Sequence, residues 1–229
     1  MLAVDEMVGA VVEELGAAGE LENTYIFFSS DNGWFGGEHR IQSAKNRAYE
    51  ESARVPLFVR GPGVAAGMKT KKLTLNTDFT STFAELVGAT FPADGRSLVP
   101  LLQGEEPSSW RSSVLLEKLP QADSSEEEKG ESKDKGRSKD KNKDKNGAGG
   151  VPKAGPGGQL AFQAVRTETH KYVEHENGEK ELYDLQNDPY EMESLHESAD
   201  PSLVEDLKAR LEALRSCSEQ GCRQAEDTP

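Results

Sequence analysis

The sequence predicts an α/β fold, in which helices flank a partial mixed sheet, followed by a small antiparallel sheet that carries one helix. The first helix is predicted over roughly 2–15, where apolar residues recur at helical spacing. Two runs of β-branched and aromatic residues, at 24–29 and 55–59, predict strands buried on both faces, as in a parallel sheet. A helix that precedes such strands is typical of the α/β class.

Two further elements are predicted before the composition changes. A helix begins at Thr77 or Asp78, either of which can cap it, and runs to about Val87, where Gly88 is its stop signal. A short apolar run at 113–117 is a candidate strand. We therefore assign residues 1–119 to the α/β part of the chain.

The composition changes abruptly after this part. Between residues 123 and 146 there are eight acidic and eight basic residues and almost nothing apolar. Such a stretch cannot bury enough apolar surface to offset the entropy of ordering it. Together with the Gly/Pro-rich residues that follow, it predicts a disordered surface insertion over 120–158; the alternative is a docking tail for a partner.

Regular structure is predicted again over 159–229, as the small antiparallel sheet with one helix. Asn177-Gly178 is a strong turn signal between two of its strands. Asp200-Pro201 opens a helix with four leucines on one face, and Pro suits its first turn. The strands are predicted at 161–167, 170–176 and 181–185.

Composition limits the partners of the chain. Its formal net charge is -14, which argues against nucleic acid or an anionic membrane as a general partner. It has no run of about 20 apolar residues, so no transmembrane helix is predicted. Its N-terminus lacks the basic and apolar regions of a signal peptide. The compartment stays open: extracytoplasmic or secreted if a parent protein carries such a peptide.

The two cysteines, Cys217 and Cys222, lie close together near the C-terminus. Two thiols cannot build a four-ligand structural zinc site. A small disulfide loop, which needs an oxidising compartment, and two free thiols both remain open.

Polar residues with metal-binding chemistry follow the first predicted strand. Asp31 and Asn32 stand at its carboxyl end, where ligands bind in open α/β sheets. A carboxylate beside an amide oxygen suits a hard cation such as calcium, which takes six to eight oxygens. Taken alone, however, Asp-Asn-Gly is most often only a turn.

Three more candidates lie between the two strands. The ammonium of Lys45 is a compact charge that can hold sulfate or phosphate, although a lone loop lysine usually faces solvent. His39 could donate to the same anion or act as a general acid. The alternative is a histidine that is exposed to solvent on the surface. Glu50 and Arg54 are four residues apart, and for them we favour a structural pair over a catalytic role.

Taken together, these residues resemble a known family, the type I sulfatases of the alkaline phosphatase superfamily. The order and the spacing both match, and the resemblance extends to 2–8, 76–78, 94–98 and 181–191. The tail, 216–223, resembles that of the N-acetylglucosamine-6-sulfatase branch. The segments that carry the core of the match are Ser30-Asp-Asn-Gly33, Gly37-Glu-His39, Lys45-Asn46, Tyr49-Glu50, Arg54-Val-Pro-Leu57 and Arg60-Gly-Pro-Gly63.

The resemblance implies an alkaline-phosphatase-like sulfatase core, with residues 1–119 as the C-terminal part of the catalytic domain and 159–229 as the C-terminal subdomain. It implies hydrolysis of sulfate esters by a formylglycine, with a calcium ion on the sulfate oxygens. Asp31 and Asn32 would be calcium ligands. Lys45 would bind the sulfate and stabilise charge on the leaving oxygen, and His39 would be a substrate-pocket residue. The implied substrate is a sulfated small molecule or glycan.

The sequence departs from the family in one large respect. No Cys-x-Pro-x-Arg or Ser-x-Pro-x-Arg, the source of formylglycine, occurs in it. The family's acidic metal ligands and its other active-site Lys and His also lie upstream of this segment. We therefore expect no turnover by this chain alone, and a missing N-terminal half as a partner. The alternatives are a non-catalytic remnant or anion-binding module, and a phosphoesterase of the same superfamily, although Asn32 with Asp31 favours calcium and sulfate.

Overall fold

The computed structural model describes residues 2–90, 92–120, 160–218 and 220–228. Apart from Pro120, the insertion predicted over 120–158 therefore lies outside the described residues. The helices are α1 Leu2–Ala17, α2 Glu50–Ala53, α3 Asp78–Leu86, α4 Val99–Leu102, α5 Pro201–Ser216 and α6 Gln220–Asp227. The strands are β1 Ile26–Ser29, β2 Phe35–Gly36, β3 Gln42–Ala44, β4 Leu57–Arg60, β5 Ser113–Lys118, β6 Phe162–Thr167, β7 His170–His175 and β8 Lys180–Asp184. Short 3₁₀ turns lie at Leu21–Asn23 and Glu38–Arg40.

The first two predicted strands are present, but their expected environment was wrong. β1 pairs with β4 in an antiparallel register, Phe27 opposite Val59, rather than in a parallel one. β1 is only half-buried along its length, and Phe58 of β4 is 67% exposed. An apolar run indicates a strand that is stabilised by burial. It encodes neither the direction of the neighbouring strand nor which element covers the strand.

The predicted first helix is confirmed as α1, but none of its residues is buried. Val4, Met7 and Val11 of its apolar side are 37%, 60% and 49% exposed. Within the described part of the chain, no helix is both long and apolar enough to cross a membrane.

The core of the molecule is the C-terminal sheet, an antiparallel array in the order β5-β6-β7-β8. The helix α5 packs Leu207, Leu211 and Leu214 against one face of it, onto Val165 and Tyr172. Asp200 caps this helix by accepting a hydrogen bond from the Ser202 N–H, and Pro201 is its first residue. The predicted strands, turn and helix of this part are thus confirmed.

Two features of the C-terminal part go beyond the prediction. β5, from before the predicted insertion, pairs along its whole length with β6, from after it. A second helix, α6, follows α5, and a disulfide between Cys217 and Cys222 joins the two, which decides between the pairing alternatives. The proposed domain limits at 119 and 159 stay a prediction.

A buried ion network ties together α3, the residues just before β5, and α6. The Arg111 guanidinium is fully buried and donates to both carboxylate oxygens of Asp78, at 2.6 and 2.8 Å. Asp78 also accepts the backbone N–H groups of Leu75 and Arg96. Glu226 of α6 accepts from Arg111 at 3.0 Å. Because each buried charge has partners, the network holds three distant segments in one arrangement.

We predict that Asp78→Ala lowers the free energy of unfolding by about 3–5 kcal/mol, because it leaves the Arg111 guanidinium buried without its main counter-charge. Urea denaturation followed by circular dichroism measures the loss. Asp206→Ala is the matched control, since it removes the half-exposed partner of Arg210 on α5, where water screens the pair. Equal destabilisation by the two substitutions would contradict the prediction.

Candidate functional site

The candidate site begins directly after β1, in a turn that holds Asp31 and Asn32. The Ser30 hydroxyl donates to the Asn32 carbonyl at 2.8 Å, and the Asn76 side chain donates to the Ser30 carbonyl at 3.2 Å. The Asn32 amide nitrogen donates to the Gly33 carbonyl at 2.8 Å. This last bond fixes the Asn32 amide and leaves its oxygen, Oδ1, for a cation.

Lys45 supplies a cation to that oxygen. Its ammonium donates to Asn32 Oδ1 at 3.0 Å, and both side chains are half-buried. The short β2–β3 ribbon brings the two segments together, because Phe35 pairs with Ala44, the residue before Lys45. Phe35 is fully buried and anchors the ribbon. The structure thus brings together two of the residues that the sequence analysis singled out, thirteen positions apart.

Gly33 is required by the packing of α2 against this turn. A Cβ at this position would lie 2.0 Å from the Glu51 carbonyl oxygen, a backbone atom that cannot move aside. The Gly33 N–H donates to the Ser52 carbonyl at 2.9 Å. The turn that carries Asp31 and Asn32 is therefore fastened to α2.

The chemistry of the described donors fits part of a calcium site. Asp31 is exposed and presents a carboxylate beside the Asn32 amide oxygen. Hard oxygens of this kind suit calcium, but the ion takes six to eight of them. Among the described residues no group of three or more His, Cys, Asp or Glu side chains could hold a metal. Asp31 and Asn32 would thus hold only one side of the ion.

His39 lies in a separate contact group. It and Arg40 have left-handed backbone, with φ of 51° and 59°, which is uncommon outside glycine and costs energy. The His39 ring stacks on Tyr49 with centroids 4.0 Å apart, and its Nε2 lies 3.4 Å from Glu51 Oε2. Among the described residues no hydrogen bond or ion pair joins it to Asp31, Asn32 or Lys45. Its role in a substrate pocket stays a prediction.

Glu50 has a structural role, as expected, but with other partners. Its carboxylate lies 2.8 Å from the Lys171 ammonium and 3.4 Å from the Arg166 guanidinium, and no described ion pair joins it to Arg54. Lys171 also pairs with Glu191 at 2.7 Å. Sequence reasoning missed Lys171, because a lysine in a strand is usually exposed and no local pattern indicates a partner some 120 residues away.

A second group of polar side chains joins Tyr49 to the C-terminal sheet. The Glu181 carboxylate accepts from the hydroxyls of Tyr49, at 3.5 Å, and Tyr183, at 3.2 Å, and lies 3.2 Å from His175 Nε2. Burial raises the pKa of Tyr49, so this hydroxyl stays a donor. Burial would also raise the pKa of Glu181, but the His175 ring and the two tyrosines outweigh it and lower that pKa.

Comparison with known proteins assigns these segments to a family. The sulfatase family model matches residues 1–89, which include Asp31, Asn32, His39 and Lys45. The N-acetylglucosamine-6-sulfatases of Bos taurus and Homo sapiens are each 33% identical to the chain over 97% of its length. The chain belongs to the sulfatase family. It spans about 40% of the length of these sulfatases, and their branch is the one that the tail motif indicated.

Solved structures confirm the predicted sulfatase core. BT4656, in complex with its substrate D-glucosamine-2-N,6-O-disulfate, superposes with a TM-score of 0.75 at 27% identity, over 99% of this chain and 40% of that one. The phosphonate monoester hydrolase of Agrobacterium radiobacter superposes with a TM-score of 0.70 at 26% identity, over 93% of this chain and 39% of that one. The α/β class with a C-terminal antiparallel sheet is thus the architecture that this sulfatase chain shares with them.

We predict that acid unfolds this sulfatase chain through its partly buried carboxylates. Burial would raise the pKa of Glu50, but Lys171 and Arg166 lower it below its usual value of 4.5, and Glu181 behaves likewise. A carboxylate with a lowered folded pKa stabilises the fold above the unfolded pKa, and this contribution is lost as the pH falls through the folded value. Unfolding free energy measured in urea should therefore decrease progressively below about pH 4.5.

The matched variant is Glu181→Gln, which retains the shape but cannot titrate. It should unfold more easily at neutral pH and lose stability less steeply in acid than the unsubstituted chain. Glu191, whose pKa burial raises, acts in the opposite direction at higher pH, so the comparison is made below the ordinary glutamate pKa. An unchanged acid slope in the variant would show that Glu181 does not carry the effect.

Proposed function

We propose that this chain carries the sulfate-binding lysine and part of the calcium site of a sulfuric ester hydrolase that acts on sulfated amino sugars. The observation that supports this most directly is the 3.0 Å contact between Lys45 Nζ and Asn32 Oδ1. It joins the two kinds of group that a sulfate monoester needs, a fixed cation for its oxygens and a hard oxygen ligand for a metal.

Lys45 would bind and stabilise the sulfate group. Its ammonium has three donors, and among the described residues only the bond to Asn32 is observed, so it can also donate to oxygens of the ester. Since the side chain is half-buried, its charge is screened less than at an open surface. When the ester bond breaks, negative charge grows on the leaving oxygen, and a preplaced ammonium lowers the energy of that state.

Asp31 and Asn32 would hold one side of a calcium ion. Bound there, calcium would polarise the sulfate oxygens and neutralise part of their charge. Asp31 contributes an exposed carboxylate, while the Asn32 oxygen is already oriented by the bond from its own amide to Gly33. The Asn32 oxygen would then contact both the calcium ion and the Lys45 ammonium. Both cations would therefore be available to the same sulfate group.

The relatives support the substrate class. N-acetylglucosamine-6-sulfatases are 33% identical over nearly the whole chain, and the structural neighbour BT4656 binds a glucosamine disulfate. We therefore propose an amino sugar that bears a sulfate ester as the substrate of the protein in which these residues act.

The nucleophile would come from outside this chain. The sequence holds no Cys-x-Pro-x-Arg or Ser-x-Pro-x-Arg, and Asp31 and Asn32 are too few ligands for calcium. We predict that the purified chain does not hydrolyse an aryl sulfate above the buffer rate, with or without calcium. Release of the phenol that disappears on Lys45→Met would contradict this prediction, whereas release that persists in Lys45→Met indicates a contaminating enzyme.

The phosphoesterase alternative has one observation in its favour, the likeness to phosphonate monoester hydrolases. The two readings differ in the anion that Lys45 prefers. Titration with inorganic sulfate and with inorganic phosphate at about pH 8, where both are dianions, separates them. Tighter binding of phosphate would favour the phosphoesterase.

We predict that sulfate binds at Lys45. In a ¹⁵N-labelled chain titrated with sodium sulfate at constant ionic strength, saturable shifts should be confined to amides near Asn32 and Lys45. Lys45→Met should weaken the binding about ten-fold or more, because it removes a charge-assisted hydrogen bond. Lys71→Met is the control, since it removes the same charge from an exposed position.

The outcomes of the titration separate an active-site segment from a remnant. Saturable binding that is lost in Lys45→Met and kept in Lys71→Met supports the proposal. Shifts that both lysine variants reduce equally would show only general attraction of the anion. Absence of saturable binding would favour the alternative of a remnant that has lost its site.

A further inference from the structure

The buried ammonium of Lys171 stands at the centre of a junction between the C-terminal sheet and the loop after Lys45. Its side chain is fully buried, on β7. It donates to the Ala48 carbonyl at 2.8 Å and pairs with Glu50 at 2.8 Å and with Glu191 at 2.7 Å. An ammonium carries three protons, and three oxygen atoms lie within 2.8 Å of this one, from Ala48, Glu50 and Glu191. Two of the three belong to residues 48–50, which begin three positions after Lys45.

Glu191 closes the junction from the other side. Its second oxygen accepts the Glu50 backbone N–H at 2.6 Å, so the first turn of α2 is bonded through both its backbone and its side chain. Glu191 is fully buried and has left-handed backbone, with φ of 53°. A non-glycine residue keeps such a conformation only where its surroundings hold it. The pairs that surround Lys171 therefore determine the backbone position of residues 48–50 from a part of the chain more than 120 residues away.

Residues 48–53 in turn lie between the two sides of the candidate site. Ala48 is packed in a small core with Phe162 and Val173, so it cannot shift without opening that core. On one side of it stands Lys45. On the other, Ser52 accepts the N–H of Gly33, the residue next to Asn32. One segment therefore runs from Lys45 to Ser52, the residue that is bonded to Gly33, and Lys171 and Glu191 hold it in place. The position of this segment sets the 3.0 Å distance from Lys45 Nζ to Asn32 Oδ1.

We propose that Lys171 and Glu191 are positioning residues for the anion site, because they hold the segment that sets Lys45 against Asn32. They touch neither the anion nor the metal and act only through residues 48–53. The inference rests on the proposed function, since it concerns the affinity of the same Lys45 site. It assigns to the C-terminal sheet a task in ligand binding and not only in folding.

The decisive variant is the double substitution Lys171→Met with Glu191→Gln. It removes one positive and one negative charge together, and Glu50 keeps Arg166 as a partner, so no unpaired charge is left buried. We expect sulfate affinity at Lys45, measured by the ¹⁵N titration, to decrease about ten-fold. Glu191→Gln alone keeps an oxygen for the Glu50 N–H and should retain most of the affinity.

A matched control separates positioning from general loss of stability. Glu226→Gln weakens the buried network around Arg111, which has no bond to residues 45–53 among the described residues. All variants are titrated at a temperature where urea denaturation shows each to be folded. Sulfate affinity within about two-fold of the unsubstituted chain in Glu226→Gln, and about ten-fold weaker in the double variant, supports the proposal. An equal decrease in both, or no decrease in the folded double variant, overturns it.

A structural readout keeps the proposal testable if the unsubstituted chain binds no sulfate. In that case the proposed function fails, and proximity of the Lys45 and Asn32 side chains is followed directly by nuclear Overhauser effects. Loss of that proximity in the double variant, with its persistence in Glu226→Gln, supports positioning. Its persistence in the double variant overturns it. If the double variant does not fold, the same comparison is made with Lys171→Arg. This substitution keeps the charge, but the planar guanidinium does not reproduce the arrangement of the three ammonium donors.

Discussion

Burial of the Lys171 ammonium is the constraint on which the rest of the structure depends. A charge removed from water is tolerated only when nearby opposite charges and hydrogen bonds replace the solvent. Here the replacement comes from Glu50, Glu191 and the Ala48 carbonyl. These groups belong to separate parts of the chain. Lys171 can therefore be buried only if the loop that contains Ala48 and Glu50, and the segment after β8 that contains Glu191, both pack on β7.

The second buried network works by the same principle at another place. Arg111 gathers Asp78 of α3 and Glu226 of α6 around the start of β5. Both networks join residues from before and after the predicted insertion, so the α/β part is attached to the C-terminal sheet through paired charges as well as through β5. Apolar packing supplies the core under α5, whereas ion pairs with few alternative arrangements determine which segments meet.

Sequence reasoning succeeded where structure is local. The turn at Asn177-Gly178 and the leucine face of α5 follow from backbone chemistry and periodicity, which act over a few residues. It failed where structure is decided at long range, as in the antiparallel pairing of β1 with β4 and the exchange of Arg54 for Lys171 as the partner of Glu50. The candidate site residues were singled out by their resemblance to a family, because Asp-Asn-Gly and a loop lysine carry no specific signal alone, and their roles stay a prediction. That Lys45 lies close to Asn32 follows from the β2–β3 ribbon and from Phe35 at its base, which only the structure shows.

The disulfide between Cys217 and Cys222 gives α6 a particular thermodynamic status. Its Glu226 and Arg223 bind the body of the protein mainly through polar contacts, to Arg111, Arg96 and the Gly95 carbonyl. A free peptide with so few contacts would bind weakly. The disulfide, which spans five positions, instead holds the first turn of α6 near the end of α5, so that Arg223 and Glu226 meet their partners at an effective concentration on the order of millimolar or more. α6 thus behaves as a peptide ligand that is covalently linked to its binding surface, and the fraction of molecules in which it is bound depends on the length of that link.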